Sequence, residues 1–272
     1  MSDGPAIELA IEDGVAIATM MRPKQRNPFS ADFLACMADI ITECGRNDEI
    51  KALILTGTEG VFCAGGDIKG MVERAQKGDF PAEDIRARLY DIHDWIQPLR
   101  NLSIPVICAV DGPAYGGGFG LALCADFILA SENASFCSVF CRIGAIPDCG
   151  VLFTLPRMVG IQRAKEMMYT GRPIDAREAK DIGIAMDVYP TGTVLAEAKA
   201  LARRMQDASG AAFAITKRIA NQTFDNDAMT HVEMEAAGQS ICLSSEYHKD
   251  AVNRFVEKQP LRFNWEAREA AE

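Results

Sequence analysis

The stretch Gly112-Pro113-Ala114-Tyr115-Gly116-Gly117-Gly118-Phe119-Gly120 joins two apolar runs and limits what can surround it. Before it, Pro105-Val106-Ile107-Cys108-Ala109-Val110 has the unbroken apolar character of a buried strand. After it, Leu121-Ala122-Leu123-Cys124-Ala125-Asp126 reads as a short helix. Three consecutive glycines at the junction permit positive φ and let the backbone come close to another group. A helix starting there aims free N–H groups and the positive end of its dipole out of the turn. That is a ready site for an oxygen that carries, or is about to carry, negative charge. The same residues also suit a tight strand-to-helix connection that binds nothing.

Elements on either side extend an alternating pattern. Residues 6–11 and 15–20 read as two strands closed by Asp13-Gly14, a hairpin signal. A cationic loop with two prolines follows, and Ser30 stands as N-cap of a helix to Arg46 with Phe33, Leu34, Met37, Ile40 and Ile41 on one face. Ala52 to Gly57 is a buried strand. A second glycine break follows: Val61-Phe62-Cys63-Ala64 reads as a short strand ending at Gly65-Gly66-Asp67. Lys77 to Pro81 reads as a mobile insertion, and Tyr90 to Leu99 as an amphipathic helix. Residues 127–130 and 135–140 read as strands, 152–158 and 163–169 as helices. Asp175 caps a short helix to Asp181, and Met186 to Tyr189 forms a last strand. Beyond Pro190 the pattern is helical throughout, over about 193–207, 211–225, 228–242 and 246–257. The pattern predicts an α/β core over 1–190 and a helical segment over 191–272.

Composition narrows the class of function. A net charge of -10 argues against nucleic acid as the partner. No apolar run is long enough to span a bilayer, so no membrane partner is expected. The nine cysteines form no Cys-x-x-Cys pair and lie mostly in apolar runs, which predicts reduced, buried thiols and a cytoplasmic setting. His93, His231 and His248 are far apart and show no metal-ligand spacing. The glycines at 116–120 do not complete a dinucleotide-binding fingerprint.

The two glycine motifs carry a family resemblance. Phe62-Cys63-Ala64-Gly65-Gly66-Asp67-Ile68-Lys69 resembles the acyl-CoA-binding loop of the crotonase (enoyl-CoA hydratase/isomerase) superfamily. Val110 to Gly118 resembles its second signature. Arg157 to Gly160, Thr170 to Ala179 and the Phe255-Val256-Glu257-Lys258 tail are similar as well, so the resemblance covers nearly the whole chain. It implies a spiral of ββα turns followed by a helical trimerisation segment, in a homotrimer or homohexamer. It implies an acyl-CoA thioester as substrate, with coenzyme A entering as part of that substrate and no permanently bound cofactor.

Site roles follow from the same resemblance. The N–H groups of Gly66 and Gly117 become the two donors to a thioester enolate. Ala64, Asp67 and Ile68 fall on the coenzyme A path. Arg22, Lys24 and Lys69 become phosphate partners, with Phe255 in the tail also on the ligand path and Lys258 reaching the phosphates from a neighbouring subunit. Hydratases of the family use two glutamates, one three residues after the central oxyanion glycine and one that precedes Gly144 by four. Here those positions hold Gly120 and Phe140. Asp148, in Ile146-Pro147-Asp148-Cys149-Gly150, stands where family isomerases carry a lone carboxylate, in a turn similar to that of the isomerases of phenylacetate degradation. Phe140, Ile143 and Ile146 are expected to raise its pKa by desolvation. The resemblance therefore favours double-bond isomerisation with Asp148 as base. Asp148 as N-cap of the following helix, hydration with another water arrangement, and a non-catalytic CoA-ester-binding subunit are the competing readings.

Overall fold

The computed structural model describes residues 4–67, 70, 72, 73, 76, 78 and 81–265. The hairpin forms as expected: β1 (Ile7–Glu12) pairs with β2 (Val15–Met20), and Glu12 faces Val15. Asp13 at φ 48° and Gly14 at φ 76° make the left-handed two-residue turn. Helix α1 (Ala31–Arg46) buries Phe33, Met37, Ile40, Ile41 and Cys44, a stripe at helical spacing. Ser30 precedes it without capping it. Its hydroxyl donates to the Asp32 carboxylate instead.

A six-stranded sheet runs β1-β2-β3-β4-β6-β9 and is parallel from β2 onward. Its inner members are β2 with β3 (Ala52–Gly57), β4 (Val106–Val110) and β6 (Phe127–Ser131), and β1 and β9 (Asp187–Tyr189) lie at the edges. Leu53, Leu55, Val106, Cys108 and Val110 enter the main core on one face. Ala52, Ile54, Ile107 and Ala109 enter a second core on the other. Alternate residues point to opposite faces, so a strand covered on both sides is apolar throughout. This is why the run at 105–110 lacks alternation.

A smaller sheet, β5-β7-β8, stands beside the first. It contains β5 (Pro113–Tyr115), β7 (Ser135–Cys137) and β8 (Ile174–Asp175). Each pass of the chain gives a long strand to the large sheet and then a short one to the small sheet, as β4 to β5 and β6 to β7. The expected strand at 61–64 reduces to one bridge, Cys63 to Ala114, and residues beyond Cys137 turn into a 3-10 helix over Val139–Ile143.

The helices follow in order. They are α2 (Ala82–Arg100), α3 (Gly117–Ala122), α4 (Val151–Val159), α5 (Ile161–Thr170) and α6 (Ala176–Asp181). Asp175 does cap α6, accepting from the Glu178 N–H at 2.8 Å. Helices α7 (Val194–Gln206), α8 (Gly210–Ala220), α9 (Ala228–Leu243) and α10 (Glu246–Val256) complete the chain. Helix α7 buries Val194, Ala198, Leu201 and Ala202 against the second face of the large sheet. Helices α9 and α10 bury almost nothing, and Met229, Ile241, Phe255 and Val256 are exposed. Much of the expected 77–81 insertion lies outside the described residues.

Candidate active site

The expected helix at 121–126 starts earlier than its composition suggests. Helix α3 begins at Gly117, so the glycines form its first turn rather than a loop before it. Close packing explains why only glycine fits. A Cβ on Gly118 would lie 2.1 Å from the Cys63 carbonyl oxygen, and one on Gly65 would lie 2.4 Å from the Gly117 nitrogen. The two glycine motifs therefore touch backbone to backbone, which a side chain on either would prevent.

The first motif is held in place from both sides. Cys63 N–H donates to the Pro113 carbonyl at 3.0 Å, and Tyr115 N–H donates back to the Cys63 carbonyl at 2.9 Å. On the other side Ala64 N–H donates to the Arg26 carbonyl, and Phe29 N–H to the Gly65 carbonyl. Buried Asn27 fixes the approach. Its side-chain amide donates to the Phe62 carbonyl at 2.7 Å and the Val61 carbonyl at 3.2 Å, while its Oδ1 accepts from Arg22 N–H at 2.7 Å. Among the described residues, no protein acceptor takes the N–H of Gly66 or of Gly117. Asn27 lies in the loop that the sequence presents as solvated cations, and its φ of 49° is one that asparagine tolerates. Asn27→Ala is expected to destabilise the fold by about 2–4 kcal/mol, since it strands the buried Phe62 carbonyl and the part-buried Val61 carbonyl. Thermal unfolding of the variant measures this.

One cavity of about 270 Å³ gathers Ala64, Gly66, Gly117, Phe140, Ile143 and Asp148. Residues from three elements thus converge as the motifs suggest. Helix α2 adds Ile85, Arg88, Leu89 and Ile92 to the same wall, and Phe29 and Cys149 also line it. The sequence reading missed this wall, although Ile85, Leu89 and Ile92 follow a helical stripe. Arg88 is anchored by donating to the Phe29 carbonyl at 2.9 Å.

Asp148 does not serve as a side-chain cap. Gly150 occupies the N-cap position of α4, no side-chain cap bond is made there among the described residues, and Val151 N–H donates to the Asp148 main-chain carbonyl. Its carboxyl is left to the cavity. Burial pushes its pKa above the ordinary value, while the Cys149 thiol donating to it, His93 and Arg88 hold the rise back. Phe140 and Ile143 share the cavity with it, but Ile146 is 76 % exposed and does not, which corrects its expected part in the desolvation. Cys149 is buried, with its thiol pushed well up by desolvation and by Asp148 beside it, so it is a packed thiol rather than a nucleophile.

Space at Gly120 is also decided by this turn. A Cβ there would meet the Cys149 carbonyl oxygen at 2.5 Å and its Cβ at 2.8 Å. The Asp148-Cys149 turn occupies the volume a side chain at 120 would need.

Other expected ligand contacts fall elsewhere. Arg22 is engaged by Asp32, Ser30 and the Gly4 carbonyl, and it holds the Asp32 carboxyl down to about 2. Without a ligand, its guanidinium is held in this ion pair. Asp67 accepts from the Gly70 N–H at 3.1 Å and does not line the cavity. Lys24 sits exposed in a 3-10 turn, and Phe255 and Lys258 are exposed at the end of α10 and just past it. None of these three lines the cavity. Ile68 and Lys69 lie outside the described residues.

Comparison with known proteins identifies the family. Residues 10–268 match the model of a family described as enoyl-CoA hydratase/isomerase. The chain is 31 % identical over 254 residues to 1,2-epoxyphenylacetyl-CoA isomerase of Escherichia coli, covering 93 % of this chain and 96 % of that one. It is 33 % identical to short-chain-enoyl-CoA hydratase of Clostridium acetobutylicum, covering 92 % and 94 %. A crystal structure of an enoyl-CoA hydratase/isomerase from Cupriavidus metallidurans superposes with a TM-score of 0.92 at 33 % identity, covering 99 % and 100 %.

Proposed function

The chain belongs to the enoyl-CoA hydratase/isomerase family, and we propose that within it the protein shifts a double bond along an acyl-CoA thioester. The observation that supports isomerisation is a carboxylate whose pKa burial raises, Asp148, in a cavity that also presents the amides of Gly66 and Gly117, while the other carboxylate on the lining, Asp84, is exposed in the first turn of α2. The thioester oxygen sits at those two N–H groups. Asp148 removes a proton from the carbon next to the carbonyl, and the resulting dienolate places its negative charge on the oxygen they hold. Asp148 then returns the proton two carbons along. Proton and charge balance without a water molecule. Burial raises the basicity of Asp148 toward working pH, which suits a group that must take and give the same proton.

Hydration by the paired-glutamate route has no residues here, since Phe140 and Gly120 occupy those positions. Phe140→Glu combined with Gly120→Glu is expected not to restore hydration. The residue at 120 must displace the backbone of Cys149, so the double variant loses stability and gains no crotonyl-CoA turnover. Assay of crotonyl-CoA beside 3-hexenoyl-CoA tests the proposal: the wild-type protein isomerises the second and leaves the first largely unhydrated. Rapid hydration of crotonyl-CoA with no isomerisation would replace this reading with that of a hydratase.

The exposed apolar side chains of α9 and α10 support assembly into a homotrimer or homohexamer. Light scattering on the purified chain is expected to give three or six times 29.6 kDa. A mass of one chain contradicts it.

A further inference from the structure

A second cavity, of about 290 Å³, shares no lining residue with the first. It opens between the ends of α2, α3 and α8 and one side of α4. Arg100, the last residue of α2, is half-buried on its wall, with its guanidinium 4.7 Å from the centre of the Phe153 ring. Arg157 lies over the same ring at 3.5 Å. Two like charges thus meet at one ring, and the neighbouring acid is hydrogen-bonded to only one of them. Asp225 pairs with Arg157 at 2.7 Å. Among the described residues, the Arg100 guanidinium has neither a hydrogen-bond acceptor nor a carboxylate partner.

The remaining polar groups do not cancel that charge. Asp126 lines the cavity, but its Oδ2 accepts from Lys217 Nζ at 2.7 Å and from the Val106 N–H at 2.8 Å, so its charge is already matched. The Asn221 side chain donates to the Arg100 carbonyl. Thr154, only 8 % exposed on the same wall, has a hydroxyl with no partner in the protein. A half-buried guanidinium without an acceptor and a buried hydroxyl without a partner are both costly unless something completes them. Burial is the main influence disfavouring the charge on Arg100 and Arg157 adds to it, while Cys124 and Asp225 offset this only in part.

We propose that this cavity is a binding site for a small phosphate-type oxyanion, with Arg100 as its main charge partner and Arg157 and Thr154 beside it. The guanidinium fork matches such an anion in shape and charge. The volume exceeds that of one phosphate, so the group can come from free phosphate or from a nucleoside monophosphate.

Isothermal titration of the intact protein with inorganic phosphate, and separately with AMP, tests this. The wild-type chain binds at least one of the two saturably, and Arg100→Met weakens that binding by at least about tenfold, the scale of one charge-assisted hydrogen bond. A preference for AMP over phosphate identifies the nucleotide as the source. Should Arg100→Met fail to fold, Thr154→Val carries the test. It removes an unpaired buried hydroxyl, so it raises thermal stability without anion and lowers affinity for the anion. No binding of either probe, or binding unchanged in whichever variant folds, overturns the proposal.

Discussion

Asp148→Asn loses double-bond migration while its thermal stability rises. The rate falls by about 10²–10⁴-fold, the usual contribution of a positioned base, because an amide cannot accept the proton. Binding of the CoA thioester is nearly unchanged, since the two glycine amides and the apolar wall are untouched. The stability gain follows from burial. The carboxyl is favoured in its protonated form in the folded chain, above its ordinary pKa of 3.8. Any advantage the acid gives the fold is therefore full below pH 3.8 and is lost as pH rises through the raised value. At neutral pH the folded chain carries a partly desolvated charge, and the neutral amide removes it. The melting temperature of the variant should exceed that of the wild type at pH 7, with a smaller difference in acid. The same shift gives the kcat profile of the wild type an acid-side fall centred above the ordinary carboxylate range. Unchanged turnover in Asp148→Asn would remove Asp148 from the chemistry.

Gly65→Ala damages the enolate site from outside the cavity's chemistry. The added Cβ would stand 2.4 Å from the Gly117 nitrogen, at a φ of +81° that alanine resists. The two backbones must separate, and the donors at Gly66 and Gly117 lose their common focus. Misplacing one oxyanion donor costs about 10²–10³ in kcat. The left-handed strain alone costs about 1–2 kcal/mol. Gly183→Ala isolates that strain: its φ is +82°, yet nothing lies within 4 Å of the new Cβ. The control should lose a little stability and keep its kcat. If Gly65→Ala keeps its kcat too, the contact between the motifs does not position the donors.

Elements with a short-range cause could be read from the residues. The Asp13-Gly14 turn, the apolar stripe of α1 and the Asp175 cap all depend on near neighbours in sequence. Strands 106–110 and 52–57 could be read because covering both faces leaves no polar position. The start of α3 could not, since three glycines have poor helix propensity and are helical only because Cys63 and Phe29 pack against them. Asn27 and the α2 wall were missed for the same reason: their partners are 34 to 59 residues away. The Arg22 ion pair could not be read either, because its counterion, Asp32, comes from the first turn of α1. A charged residue on a loop shows its sign in sequence but not which acid it meets.

Proton exchange into bound acyl-CoA in deuterated water tests the paired amides and the base Asp148 most directly, because it requires no knowledge of the natural acyl chain. With a saturated acyl-CoA, the wild-type protein should exchange the protons next to the thioester. With a 3-enoyl-CoA, label should also appear two carbons further along. Asp148→Asn should exchange neither, although it still binds the thioester. Equal exchange in wild type and variant, or no exchange in a wild-type protein that binds the thioester tightly, would contradict the account.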